Sequence, residues 1–139
     1  MELAIQQAKS AAARDEVPVG AVIQDASGKI IAKESNKTIE FCDPTAHAEI
    51  NAIRTACKER KDLYLNDCTM YVTLEPCSMC LAAIVNSRLK KLIYGLPSPK
   101  YGALSSNHSP CQSREKLVKN TEVYGGFYQS EISRMMKEF

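Results

Sequence analysis

Thr69-Met70-Tyr71-Val72-Thr73-Leu74-Glu75-Pro76-Cys77-Ser78-Met79-Cys80-Leu81-Ala82-Ala83-Ile84-Val85-Asn86-Ser87 is the stretch that decides the fold. Its first five residues are aromatic, β-branched or apolar, which predicts a strand over 69–73. Pro76 ends that run. From near Cys77 the small and apolar residues Ala82, Ala83, Ile84 and Val85 continue without a breaker, which predicts a helix to about Ser87. Lys91 to Tyr94 then reads as another strand. Strand, helix and strand in this order make a β-α-β unit, whose crossover is right-handed.

Upstream, Leu3, Ile5, Ala8, Ala11 and Ala12 recur at near-helical spacing, so residues 2–14 read as an amphipathic helix, ended by Pro18. Val19 to Ile23 and Lys29 to Lys33 are short strands around the hairpin turn Asp25-Ala26-Ser27-Gly28. Glu34 to Phe41 is polar and reads as a loop. Asp43-Pro44-Thr45 opens a second helix, with Asp43 or Thr45 as cap and Pro44 in an early helical position, running through Ile50, Ile53 and Arg54 to about Lys58. Downstream come a Pro- and Gly-containing loop from Leu96 to about Pro110, a fifth strand over Thr121 to Tyr124, and a helix over 127–139. This order predicts a single α/β domain, residues 1–139, built as a three-layer α/β/α sandwich with a central mixed five-stranded sheet. The β-α-β units around both helices are expected to set parallel strands side by side.

The chain has 139 residues, 45% hydrophobic and 24% charged, and a net charge of +2. That excludes a bulk polycation and fits an ordinary globule. Three basic groups do occur: Lys58, Arg60 and Lys61; Arg88, Lys90 and Lys91; and Arg114, Lys116 and Lys119. They suit solvated loops and helix ends, or phosphate contacts, and charge alone does not choose. The absence of a long apolar run predicts neither a signal peptide nor a membrane span, hence a cytoplasmic address. The six cysteines, at 42, 57, 68, 77, 80 and 111, are therefore expected to be reduced rather than paired. Cys57 and Cys68 read as small buried hydrophobes.

Cys77 and Cys80 read differently. They are spaced i, i+3 at the start of a helix, so both sulfurs face one side, and the helix N-terminus favours thiolates. His47-Ala48-Glu49, placed one turn into the second helix, offers an imidazole and a carboxylate. One imidazole and two thiolates are three ligands for a tetrahedral zinc, and the missing fourth leaves room for water, the mark of a catalytic site. Zinc lowers the pKa of such a water, and Glu49 lies where it could carry the proton. The pattern thus predicts hydrolytic deamination by one zinc per subunit. A structural zinc would need a fourth protein ligand. His108 and Cys42, Cys57, Cys68 and Cys111 are the spare candidates, and no second ligand motif pairs them.

The His-x-Glu and Pro-Cys-x-x-Cys pair is the known signature of the zinc deaminases. With its flanks, the chain resembles the zinc-dependent nucleoside and nucleobase deaminase superfamily, and within it the bacterial tRNA-specific adenosine deaminases. The resemblance covers about residues 14–95. It is carried by Glu16 to Val22, Asn36, Asp43 to Ile50, Tyr71 to Cys77, Met79-Cys80, Ser87-Arg88 and Tyr94-Gly95, with Met135 to Phe139 fitting the last helix. It implies a cytidine deaminase-like fold and conversion of adenosine to inosine at the wobble position of an arginine tRNA anticodon. It also implies a homodimer that reads the splayed single-stranded loop of an anticodon stem-loop. By the same resemblance, His47, Cys77 and Cys80 bind Zn2+ and Glu49 shuttles protons. Asn36 and the backbone N–H of Ala48 hold the flipped base, Val19 forms an apolar wall, and Arg88, Ser98 and Lys100 lie along the RNA groove.

Two features depart from the family pattern. Ser98 stands where the family commonly has an aspartate facing a flanking ribose, and Pro97 and Pro99 stiffen that loop. The basic tail often seen beyond the last helix does not follow Phe139. Two alternatives remain at this point. One is a free-base deaminase such as guanine deaminase, to which Ala52 to Lys58 and Asp67-Cys68 are also suited. The other is a non-catalytic zinc-containing RNA-binding domain.

Overall fold

The structure, a computed structural model, describes residues 1–105 and 118–139. Its elements run α1 (Glu2–Ala13), β1 (Gly20–Gln24), β2 (Ile30–Ser35), α2 (Ala48–Arg60), β3 (Thr69–Leu74), α3 (Ser78–Asn86), β4 (Lys91–Leu96), β5 (Glu122–Tyr124) and α4 (Gln129–Glu138). The strands form one mixed sheet in the order β2-β1-β3-β4-β5. Every expected strand is present to within two residues. Cys111, His108, Arg114 and Lys116, and the end of the predicted loop to Pro110, lie outside the described residues.

The β1–β2 hairpin turns where Asp25 Oδ1 accepts hydrogen bonds from the Ser27 and Lys29 N–H groups at 2.9 and 3.0 Å, and from the Ser27 hydroxyl. Gly28 supplies the positive φ of 93° that the turn requires. The predicted loop from Glu34 begins later than expected, because Glu34 and Ser35 remain in β2, paired with Ala21 and Gly20.

β3 and β4 are parallel neighbours joined by α3, as expected. The second β-α-β unit, β2-α2-β3, departs from expectation. β2 and β3 point the same way but are separated by β1, which is antiparallel to both. The hairpin occupies one edge of β1, and the other edge is taken by β3 in the register Ala21↔Val72 to Gln24↔Thr69. Period-2 patterning marks which residues alternate in a strand, not which strand inserts between two others.

Side-chain alternation sorts the sheet into two faces. Ala21, Ile23, Met70, Val72 and Leu92 pack into a core with Ala48, Ala52 and Ala56 of α2 and with Leu81 and Ile84 of α3. The opposite face is covered by α1, through Ala4, Ile5, Ala8 and Ala11, and by α4, through the fully buried Ile132. Gly20 is what lets α1 lie so close: a Cβ there would stand 2.0 Å from the Ala4 carbonyl oxygen and 2.7 Å from the Ala8 nitrogen. With α2 and α3 together on one face, their N-termini open at the same end of the sheet, where the site lies.

Candidate metal centre and active-site cavity

Both helices of the site begin one residue after a candidate metal ligand. The expectation that His47 sits one turn inside α2, and Cys77 in the first turn of α3, is corrected. Each is the N-cap residue, with extended backbone (φ −66°, ψ 157° and φ −72°, ψ 174°). The cause in α2 is local. Asp43 Oδ1 accepts the N–H and hydroxyl of Thr45 at 2.8 and 2.7 Å, so its side chain closes an Asx turn instead of capping a helix. Asn51 then ties the segment down by donating to the carbonyls of Ser35 and Ala46 at 3.0 and 3.1 Å. In α3, Pro76 holds Glu75 to extended backbone, which carries the chain out of β3 before the helix can start.

An N-cap side chain projects across the helix mouth, and this brings three donors together. His47 Nδ1 lies 3.4 Å from Cys80 Sγ and 3.7 Å from Cys77 Sγ, and all three donor atoms fall within 4.8 Å of one another. Zinc with a sulfur ligand at about 2.3 Å and an imidazole nitrogen at about 2.05 Å, in tetrahedral array, requires N···S spacings of roughly 3.6 Å. The donor set therefore fits zinc. Among the described residues this is the one group of three His, Cys, Asp or Glu side chains close enough to hold a metal ion. Cys57 and Cys68, read as packing residues, lie outside it, with Cys68 fully buried.

The charges agree with a metal-binding role. A hydrogen bond from Cys80 is the largest influence holding the Cys77 thiol down, to about 4, and His47 adds to it against the opposing effect of burial. The same bond, with burial, pushes Cys80 up. Hydrogen bonding to Cys77 raises His47. A cation here would replace these protons. Glu49 is 4% exposed, its Oε1 has no hydrogen-bond partner among the described residues, and burial pushes its carboxyl up to about 6. A buried, orphaned carboxylate oxygen is costly unless a ligand or water completes it.

These groups open into a cavity of about 350 Å³, within the range of small-molecule sites. His47, Ala48, Glu49 and Cys77 line its inner end. Val17, Val19, Asn36 and Thr38 form one wall, and Leu74, Glu75, Ser98 and Tyr101 the other. Val19 also belongs to the core cluster. Ala48 is the first residue of α2, so its N–H is one that the helix leaves without an internal partner. Lys100 adjoins the cavity through Tyr101, its Nζ 5.2 Å from that ring. Arg88 is not brought to the site. It follows the C-terminal end of α3, opposite Cys77, and its guanidinium lies 4.0 Å from the Tyr64 ring.

Two buried glutamates hold the walls, and sequence reading assigned neither a role. Glu16 accepts from Asn36 Nδ2 at 3.3 Å, from the Ile39 N–H at 3.1 Å, from the Glu40 N–H at 2.8 Å and from the Thr38 hydroxyl at 3.4 Å. Burial opposes its ionisation, but these backbone and side-chain bonds outweigh it and hold the carboxyl below its ordinary value. With Asn36 Nδ2 directed to Glu16 and Thr38, its carbonyl oxygen is the edge left for the cavity. Glu75 does the same for the other wall, accepting from the N–H groups of Ser98, Leu104 and Ser105 at 3.0, 2.9 and 2.9 Å. The available signal was only that two charged residues sit beside apolar runs, in Glu16-Val17-Pro18-Val19 and Thr73-Leu74-Glu75-Pro76.

Comparison with known proteins gives the class first. Residues 1–96 match the model of the cytidine and deoxycytidylate deaminase zinc-binding region, which includes His47, Glu49, Cys77 and Cys80. The tRNA-specific adenosine deaminase of Agrobacterium fabrum is 44% identical over 139 residues, covering 100% of this chain and 90% of its own. A solved tRNA:A34 deaminase, studied for A-to-I editing at the wobble position of transfer RNA, is 43% identical with a TM-score of 0.88. That match covers 97% of this chain and 96% of the other. The solved guanine deaminase of Bacillus subtilis is 41% identical with a TM-score of 0.67, over 69% of this chain and 61% of that one. The chain belongs to the zinc-binding cytidine and deoxycytidylate deaminase family and, within it, to the tRNA-specific adenosine deaminases.

Proposed function

We propose that the protein, as one domain spanning residues 1–139, hydrolytically deaminates adenosine to inosine at the wobble position of a tRNA anticodon, an arginine tRNA by the family resemblance. The observation that carries the reaction is the meeting, at one end of one cavity, of a zinc-sized His47, Cys77 and Cys80 triangle with the unpartnered Glu49 oxygen. The substrate is supported by full-length similarity to tRNA-specific adenosine deaminases, against a guanine deaminase match that spans less of both chains.

His47, Cys77 and Cys80 would hold the zinc. When bound, it supplies Lewis acidity that brings a coordinated water towards neutral pKa. Glu49 takes a proton from the attacking water and delivers it to the ring nitrogen as oxygen adds at the amino-bearing carbon. It then takes the remaining proton from the added hydroxyl and passes it to the amine, which leaves as ammonia while the carbonyl of inosine forms. The Ala48 N–H and the Asn36 amide hold the edge of the base, and Val19 packs against its face. Adenosine must leave the anticodon stack to reach these groups, which favours an unpaired loop over a duplex.

Ser98 and Lys100 border the route of the flanking nucleotides, whereas Arg88 lies away from the cavity, at the far end of α3. A second copy of the chain would complete the groove as the resemblance implies, and exposed Ile39, Phe41, Leu63 and Met79 are apolar surface available to such a contact. A cytoplasmic address suits a tRNA substrate, and no described helix is long and apolar enough to cross a membrane. The test is incubation with an anticodon stem-loop carrying wobble adenosine and, separately, with guanine. Inosine in the RNA supports the proposal; xanthine without inosine overturns it. Sedimentation velocity tests the dimer, and a single monomer boundary at assay concentration would refute it.

A further inference from the structure

We propose that Tyr101 is a stacking platform for the unpaired nucleobase next to the target adenosine, an inference that rests on the RNA reading above. Tyr101 is the one Phe, Tyr or Trp side chain among the described residues that line the cavity, yet 69% of it is exposed. A residue that both lines the cavity and is largely in solvent stands at the cavity mouth. It takes no part in the hydrophobic core.

The backbone beneath the ring is unusually well held for a surface turn. The Gly102 N–H donates to the Ser98 carbonyl at 2.7 Å, and the Ala103 N–H to the Pro76 carbonyl at 2.9 Å. Glu75 binds the turn on both sides of Tyr101, through the N–H groups of Ser98 and Leu104. Gly102 makes this possible, since a Cβ there would stand 2.2 Å from the Glu75 carboxylate. Glu75 is two residues before Cys77, so the residue that fixes the platform also lies on the strand end that presents a metal ligand. The ring is therefore positioned relative to the reacting base by short covalent and hydrogen-bonded links.

An adenosine drawn into the cavity leaves its neighbour without a stacking partner on that side. A fixed aromatic face at the mouth replaces the lost stacking, and every base has a π-face to offer, so the contact tolerates sequence. Lys100 Nζ lies over one face of the Tyr101 ring, 5.2 Å from its centroid, which leaves the opposite face for the base and sets a positive charge near the joining phosphate.

The test uses the zinc-loaded full chain and an anticodon stem-loop. Tyr101→Ala and Tyr101→Leu, which lack a flat π-face, should raise KM by roughly 5- to 150-fold with kcat and zinc content nearly unchanged. Tyr101→Phe should restore wild-type values. Replacing the neighbouring nucleotide with an abasic one, on either side of the target, should identify the stacked base. At that position the abasic substitution should cost the wild type as much as Tyr101→Ala does, and should cost Tyr101→Ala nothing more. Unchanged KM in both variants, or additive losses at both abasic positions, overturns the platform while leaving the RNA reading intact. Failure of the wild type to form inosine overturns both.

Discussion

Removing the Glu16 carboxylate should loosen the Asn36 wall and lower stability, without touching the metal ligands. In Glu16→Ala four hydrogen bonds to residues 36–40 disappear at once. Bonds to a charged group each contribute about 1.5–3 kcal/mol net. Ile39 and Glu40 are exposed, so water can replace much of what their N–H groups lose, whereas Asn36 is only 5% exposed and keeps just Thr38 as partner for its Nδ2. The balance is a loss of about 2–4 kcal/mol, or a fall in Tm of roughly 6–16 °C for a domain of this size. Glu16→Gln keeps the shape but points an NH2 at a donor whichever way it turns, and should cost about 1–3 kcal/mol.

In both variants KM for the stem-loop should rise as Asn36 loses its orientation, while zinc content stays at that of the wild type. Because the folded-state pKa of Glu16 is depressed, its contribution is complete above the unfolded value near 4.5 and is lost as pH falls through the lower folded value. The gap in stability between wild type and Glu16→Gln should therefore narrow in that acid window. Urea melts and steady-state kinetics are the assays. Wild-type stability and KM in both variants would refute the reasoning.

Three other perturbations separate chemistry from scaffold. Glu49→Gln should lower kcat about 10²- to 10⁴-fold while retaining zinc by metal analysis, the range expected for loss of a positioned proton carrier. Gly102→Ala should destabilise the protein by about 1–3 kcal/mol and raise KM, because its Cβ meets the Glu75 carboxylate at 2.2 Å and the Ser98 carbonyl at 2.6 Å. Stripping metal with a chelator should abolish activity and lower Tm, with zinc restoring both; full activity in verified metal-free protein would contradict the assignment.

Much of this molecule was readable from particular residues. The strand-then-helix pattern from Thr69 to Ser87, and the Asp25 to Gly28 turn, are local signals with local consequences, and both elements formed where expected. The metal donors were legible for a similar reason, since His-x-Glu and Cys-x-x-Cys are short motifs. What escaped depends on distant pairing. Insertion of β1 between β2 and β3 is decided by which edge remains free once the hairpin has closed. Glu16 and Glu75 act on segments 20 to 30 residues away. Arg88 carried the right charge, but the length of α3 sets it at the opposite end from Cys77. The start of α2 was missed by a few residues because Asp43 spends its side chain on Thr45 before the helix begins.

Isotope transfer from solvent into the RNA reports directly on hydrolysis of the amino group at this site. In water enriched in oxygen-18, the account predicts that an anticodon stem-loop gains one labelled oxygen per molecule, located by mass spectrometry of fragments in inosine at the wobble position, with one ammonia released. Glu49→Gln should show neither on the same timescale. No inosine from zinc-loaded wild type, or inosine whose oxygen is unlabelled, would contradict hydrolytic deamination at this site.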